Sequence, residues 1–265
     1  MTLITGVICN DGIVVASDSA STDPESYTKQ PSENKLVIIN HNKMVFGGSG
    51  DVGLIQKISA SISQSTHQKD IIKLRKELKA KICNELLESN KSFVPHPSSR
   101  SQPPLVVSMV AGYVNDNPFL FEFDQNGTDT DYTTLKGFLA IGSGKPWAQA
   151  YFRPYLNFTK NIKASKIISY RIISDAITLS SGGLSEPIHI VSIEKNGKIT
   201  KCDPAEINAT KDTCELWREI DRNSLTKALN PPSPTTTAVS AADTVVDIPS
   251  IQDENTEETI SEIPT

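Results

Sequence analysis

Residues 2–19 read Thr2-Leu3-Ile4-Thr5-Gly6-Val7-Ile8-Cys9, then Asn10-Asp11-Gly12, then Ile13-Val14-Val15-Ala16-Ser17-Asp18-Ser19. Two β-rich runs meeting at an Asn-Asp-Gly turn signal predict a hairpin, with strands over 3–9 and 12–18. A polar stretch at 22–34 separates it from a second hairpin at 35–40 and 43–47, which turns at His41-Asn42. Gly47-Gly48-Ser49-Gly50-Asp51 then opens a helical pattern in which Val52, Ile55, Ile58 and Ile62 recur at helix spacing. Further out, a helix over roughly 70–89 carries Ile71, Ile72, Leu74, Leu78, Ile82, Leu86 and Leu87, recurring at three- and four-residue steps. Pro and Ser cluster at 94–104, and strands follow at 105–113 and 119–123 around Asn115-Asp116-Asn117. A short strand near 138–141 leads through Gly142-Ser143-Gly144 into a helix from about 146. A helix at about 164–179 stops at Ser180-Ser181-Gly182-Gly183. A hairpin at 187–194 and 198–202, across Lys195-Asn196-Gly197, precedes a helix around 212–228. Strands and helices come in blocks instead of alternating, the α+β arrangement in which antiparallel sheets carry helices on their outer faces.

The chain has 265 residues, with 26 basic and 31 acidic side chains and a net charge of −5. The charge is uneven, because the segment after Lys227 holds seven acids (Asp243, Asp247, Asp253, Glu254, Glu257, Glu258, Glu262) and no base. Setting those seven aside leaves residues 1–227 at +2, without a basic run, which argues against a nucleic-acid partner. From Asn230 onward the chain is Pro, Ser, Thr and acid with few large apolar groups. The expected organisation is therefore one domain over 1–229 and a disordered acidic tail over 230–265. No cationic stretch followed by an apolar one opens the chain, and no apolar window approaches the ~18 residues of a membrane span. Cys9, Cys83, Cys202 and Cys214 lie scattered without Cys-x-x-Cys spacing, as expected for reduced thiols in a cytoplasm; Cys202 and Cys214 are near enough in sequence to pair, but nothing demands it. His41, His67, His96 and His189 form no pair at metal spacing and read as loop or surface residues. Neither a cofactor nor a metal is expected.

The chemistry starts at Thr2. Methionine before a small residue favours removal of Met1, after which Thr2 carries both a hydroxyl nucleophile and the free α-amine that can act as its base. An α-amine titrates at about 7.7–8.0 and is partly neutral near pH 7. A neighbouring cation, here Lys35, lowers that value further, and a Lys placed inside needs a counter-charge, for which Asp18 is the candidate. Taken singly these residues are weak signals: many chains begin Met-Thr, an Asp at a strand end is often a turn residue, and a Lys opening a strand is usually solvated. Together, on two consecutive hairpins, they point to a hydrolase.

The glycines offer a rival. Gly48-Ser49-Gly50-Asp51-Val52-Gly53 fits G-x-G-x-x-G between a strand and a helix, a dinucleotide-binding context. The preceding strand belongs to a hairpin, however, and no βαβ crossover is evident. Ser143 also reads as a plain helix N-cap and Ser181 as a helix-end residue. A Ser–His–Asp set of Ser181, His189 and Asp175 is conceivable, without the G-x-S-x-G elbow.

These residues bear a family likeness. Thr2, Gly12-Ile13-Val14-Val15-Ala16-Ser17-Asp18-Ser19, Lys35 and Val45-Phe46-Gly47-Gly48-Ser49-Gly50-Asp51 resemble a proteasome β-type subunit of the N-terminal nucleophile hydrolase superfamily. The likeness continues through Ala140-Ile141-Gly142-Ser143-Gly144 and Ser181-Gly182-Gly183 to about residue 200, and its wording is closer to the bacterial proteasome-like homologues. It implies a four-layer αββα sandwich of two antiparallel sheets flanked by helices, assembled as a homo-oligomer in rings. The implied activity is threonine-type hydrolysis of peptide or unfolded-protein substrates in an enclosed chamber, with an ATP-dependent unfoldase as a possible partner. Carried over, Thr2 is nucleophile and base, Asp18 and Lys35 are electrostatic supports, the Gly47 N–H forms the oxyanion hole, and Ser143 and Ser181 bond around the α-amine. One position departs from the pattern. The family's Asp three residues before the matching Ser is Thr178 here, and the nearest acid, Asp175, lies a helical turn earlier, which leaves room for a catalytically weak structural ring subunit.

Overall fold

The Asn10-Asp11-Gly12 signal forms the expected turn between β1 (Ile4–Cys9) and β2 (Gly12–Ser17), paired from Ile4↔Ser17 to Cys9↔Gly12. In this computed structural model the described residues are 1–22, 29–31, 34–39, 41, 43–65, 68–94, 103–135, 137–179 and 183–230. A small ribbon, β3 (Ala20–Thr22) and β4 (Lys29–Pro31), follows, then the second hairpin, β5 (Leu36–Ile39) and β6 (Met44–Gly50). Helices α1 (Val52–Ser63) and α2 (Ile71–Lys91) lead to β7 (Val106–Val114), β8 (Asn117–Phe123) and β9 (Asp129–Asp131). The rest comprises β10 (Phe138–Ile141), α3 (Lys145–Phe152) with a 3-10 turn at Arg153–Phe158, α4 (Ile162–Leu179), β11 (His189–Glu194), β12 (Ile199–Lys201) and α5 (Pro204–Leu229).

Two five-stranded antiparallel sheets result, ordered β10-β1-β2-β11-β12 and β5-β6-β7-β8-β9. Strand alternation sorts their side chains into three cores. Ile4, Ile13, Val15, Val45, Met109, Leu120, Ile141 and Val191 fill the space between the sheets. On the outer face of the first sheet, Val7, Val14, Ala16 and Ile190 meet Ala148 and Phe152 of α3, Ile168, Ile172 and Ile173 of α4, and Cys214 of α5. On the outer face of the second, Phe46, Phe119, Phe121 and Phe123 meet Leu54, Ile58 and Ile62 of α1 and Leu74, Leu78 and Ile82 of α2. The layers are therefore α, β, β, α, as the resemblance implies. Phenylalanines this fully buried contribute about 1.5–3 kcal/mol each by area. Phe152 also stacks on Phe138, centroids 3.7 Å apart, fixing α3 to β10.

Several boundaries differ from the sequence expectation. Helix α5 begins at Pro204, eight residues earlier than 212, because Asp203 caps it, its carboxylate accepting from the Glu206 N–H at 2.8 Å. Only Thr210 and Cys214 of that helix are buried, so its apolar period is too faint to mark its start. The 3-10 turn and the three-residue β9 are likewise too short to leave a period. Met1–Arg222 forms one compact unit; a second begins at Asn223 and, in its described residues, continues α5 to Leu229. The expected tail, from residue 231 on, lies outside the described residues. All four cysteines are free, and burial pushes the thiols of Cys9, Cys202 and Cys214 up to about 11, where they stay protonated. Among the described residues no helix is long and apolar enough to cross a membrane.

Candidate active site

Pairing register gathers the site. Ile4 pairs with both Ser17 and Ile141, and Ser17 pairs with His189, so the start of β1, the end of β2, the end of β10 and the start of β11 share one edge of the first sheet. Thr2, Asp18 and Ser143 each lie one or two residues past those pairs. From the second sheet, Leu36 opens β5 opposite Gly47, which brings the preceding Lys35 to the same end.

The Lys35 ammonium donates to Asp18 Oδ1 at 2.7 Å and to Thr2 Oγ1 at 3.3 Å. Asp18 is wholly buried; besides Lys35 it accepts from the Leu3 N–H and the Ala20 N–H, both at 2.9 Å. Three donors satisfy the buried carboxylate, and its ion pair is what lets Lys35, 9% exposed, sit inside. Burial pushes the Lys35 pKa below that of a free lysine, while the Asp18 carboxylate works against the fall.

Met1 is attached in this structure, so the Thr2 nitrogen is a peptide N–H standing in for the α-amine that removal of Met1 would expose. It donates to Ser143 Oγ at 3.2 Å, and the Gly144 N–H donates to the Thr2 carbonyl at 3.1 Å. The Gly142–Gly144 turn is thus wrapped around Thr2. Gly142 has φ +92°, and a Cβ there would run into the Thr2 carbonyl and come within 3.1 Å of Ser49 Oγ, so only glycine lets the turn pass this close. Gly47 is buried one register position inside Lys35, and a Cβ on it would come within 3.1 Å of Ile4.

Of the residues singled out from sequence, Thr2, Asp18, Lys35 and Ser143 are joined by hydrogen bonds, Gly47 lies beside them, and Ser181 lies outside the described residues. Thr178 is exposed and its hydroxyl donates to the Ser174 carbonyl within its own helix. Asp175 is taken up elsewhere, held by Arg171 at 3.4 Å and by Arg218 of α5 at 2.6 Å. Among the described residues no hydrogen bond joins Asp175 to His189, so this half of the conceivable Ser–His–Asp set does not form.

The glycine-rich rival also fails on topology. Strand β6 is antiparallel to both β5 and β7, so the parallel βαβ unit is absent. The N-terminus of α1 is filled by its own Asp51, which accepts from the Leu54 N–H at 2.8 Å. Gly48 makes room for Ile55, and Gly50, at φ +138°, for the Leu105 carbonyl. Among the described residues no three His, Cys, Asp or Glu side chains group so as to hold a metal ion.

His189 is the residue the sequence reading misplaces. It is half-buried on β11 opposite Ser17, on the face turned toward the second sheet, within electrostatic reach of Asp18, Lys35 and Lys201. Burial, Lys201 and Lys35 push its pKa down, against the pull of Asp18. Only the β2–β11 pairing, between segments some 170 residues apart, brings it here.

Residues 2–184 match the family model described as proteasome subunit. The chain belongs to the proteasome subunit family. Relatives include the proteasome subunit beta of Methanosarcina thermophila, 24% identical over 79% of this chain and 94% of its own, and that of Methanococcus aeolicus, 28% identical over 74% and 85%. Among solved structures, an Anbu (Gly-1) mutant from a Hyphomicrobium species superposes with a TM-score of 0.69 at 14% identity, over 86% of this chain and 97% of that one. Anbu from Yersinia bercovieri, described as an ancestral beta-subunit, gives 0.66 at 12% identity, over 89% and 99%. These structures share the fold of this proteasome-family chain, the sandwich of two antiparallel sheets between helices.

Proposed function

We propose that this chain is a threonine-type peptidase that works as a subunit of a self-compartmentalised ring, with Thr2 as nucleophile once Met1 is removed. The observation that carries this reading is the Lys35 ammonium, anchored by buried Asp18 and within 3.3 Å of Thr2 Oγ1. The neutral α-amine takes the hydroxyl proton, and the ammonium stabilises the oxygen as it acquires charge. Attack on a peptide carbonyl gives a tetrahedral oxyanion, for which the Gly47 N–H is the assigned donor. Collapse breaks the C–N bond, the protonated α-amine hands its proton to the leaving amine, and an acyl ester remains on Thr2. Water, deprotonated by the same amine, then releases the acid. Ser143, and in this reading Ser181, hold the amine by hydrogen bonds. The substrates would be peptides or unfolded chains in a cytoplasm, delivered with or without an ATP-dependent unfoldase.

Intact-mass analysis after treatment with a sulfonyl fluoride tests this. One sulfonyl adduct on a chain beginning at Thr2, lost together with peptide turnover in Thr2→Ala, is the expected result. Retained Met1 in an active preparation, or full turnover in Thr2→Ala, would refute it.

A second reading, a structural ring subunit with little turnover, is favoured by one observation: the place of the family Asp holds Thr178, and the nearest acid is bound by Arg171 and Arg218. If that gap limits the reaction, Thr178→Asp should raise the turnover number at least threefold, measured on a fluorogenic peptide; an unchanged value removes the reason for this reading.

A further inference from the structure

We propose that the ion pair of Lys145 with Glu122 is a positioning device for the Thr2 centre, holding the Gly142–Gly144 turn at the height where Ser143 meets the Thr2 nitrogen. This rests on the reading of Thr2 as nucleophile. Lys145 directly follows the turn that wraps Thr2, and its N–H closes that turn on the Gly142 carbonyl at 3.0 Å. Its ammonium reaches across to the second sheet and meets Glu122 Oε1 at 2.7 Å. Glu122 lies on β8 in one cross-strand row with Gly47 and Met109, and alternation turns it toward the first sheet, as it does Leu120. One salt bridge therefore ties the turn carrying Ser143 to the strand row that carries Gly47.

Helix stability does not account for Lys145. A cation at the first position of a helix opposes the helix dipole, and Gly144, the N-cap of α3, offers no side chain to compensate. The start of α3 is held instead by the Gly144 N–H on the Thr2 carbonyl and by Lys145 on Glu122. Core stability does not account for Glu122 either: its side chain is only 10% exposed, and an apolar residue in such a place is usually as good or better for folding. Tyr132 faces the same carboxylate, and burial together with that contact pushes its phenol up to about 12, so it stays a neutral donor beside Glu122. What the pair supplies that a leucine would not is a direction and a length.

The test is the rate of sulfonylation at Thr2 as a function of pH, read by intact mass, beside thermal unfolding. Lys145→Met should slow the labelling about tenfold or more, since displacement of a positioned group by an ångström costs as much as about a hundredfold. It should also move the pH midpoint downward, because the Thr2 ammonium loses an acceptor when Ser143 drifts. Lys145→Arg, which keeps charge and reach, should recover most of the rate, and Glu122→Gln should behave like Lys145→Met. A folded Lys145→Met protein labelled at the parental rate and midpoint overturns the proposal while leaving Thr2 as the nucleophile. So does a loss that Arg does not recover, or unfolding of both Lys145→Met and Glu122→Gln, which would make the pair structural. If the parental chain is not labelled at Thr2 at all, the functional reading and this one fall together.

Discussion

With its side chain fully buried, Asp18 is satisfied by three donors, the Leu3 amide, the Ala20 amide and the Lys35 ammonium. Removing the lysine leaves two of those donors, so Lys35→Ala should destabilise the fold by about 3 kcal/mol, the lower end for breaking a buried pair, read from urea unfolding. Thr2→Ala, by contrast, should leave the unfolding midpoint in place, because Thr2 is half-exposed and supplies no donor to Asp18. His189 adds a titration. Its pKa is pushed down by burial, Lys201 and Lys35, so below the ordinary histidine value the unfolded chain binds more protons than the folded one. Stability should then fall as pH drops below about 6.5 and be unaffected above it. In His189→Gln, unfolding followed between pH 7.5 and 5 should show a shallower acid decline; an identical slope would mean that other groups carry it.

At the level of elements, the site is made by strand ends. Four strand termini of the first sheet and one of the second meet there, so a register slip of one residue in any of them would turn its residue at the candidate site to the other face. The β6–α1 junction shows how tightly this is set. Gly50 takes φ +138° where the backbone passes the Leu105 carbonyl, so Gly50→Val should destabilise the fold by more than about 1 kcal/mol through strain at this junction, read as a lower thermal midpoint. The hairpins were legible in the sequence because turn chemistry and alternation are local. Helix α5 was not fully legible: its capping pair Asp203-Pro204 was there to read, but its burial is so sparse that no period announced it. Within the first unit, its residues are held by Cys214 in the apolar core, by Arg171 lying 3.9 Å over the Trp217 ring and by Arg218 on Asp175.

For the whole molecule, residues 230–265 carry seven acids without a base, and Pro231, Pro232, Pro234, Pro249 and Pro264 among few large apolar groups. Truncation after Asn230 should accordingly leave both the melting temperature and peptide turnover nearly unchanged; if it dissociated an oligomer instead, the boundary at 229 would be misplaced. Ring assembly is a further expectation, checked by light scattering: a mass several times that of one chain supports it, and a monomer in an active preparation would remove the enclosed-chamber part of the proposal.

The sequence by itself determined the two hairpins and the block order of strands and helices, and it singled out Thr2, Asp18 and Lys35 as a candidate set, because each of these is written in short-range patterns or in one chemical requirement. Only the tertiary structure decided that Ser143 bonds to the Thr2 nitrogen, that Asp175 is spent on Arg171 and Arg218, that His189 stands beside Asp18, and that Lys145 finds Glu122. The physical reason is separation along the chain. Each of those meetings, apart from the helical turn between Arg171 and Asp175, joins residues more than twenty apart, and which strand pairs with which depends on how three apolar cores close together. No local period records that.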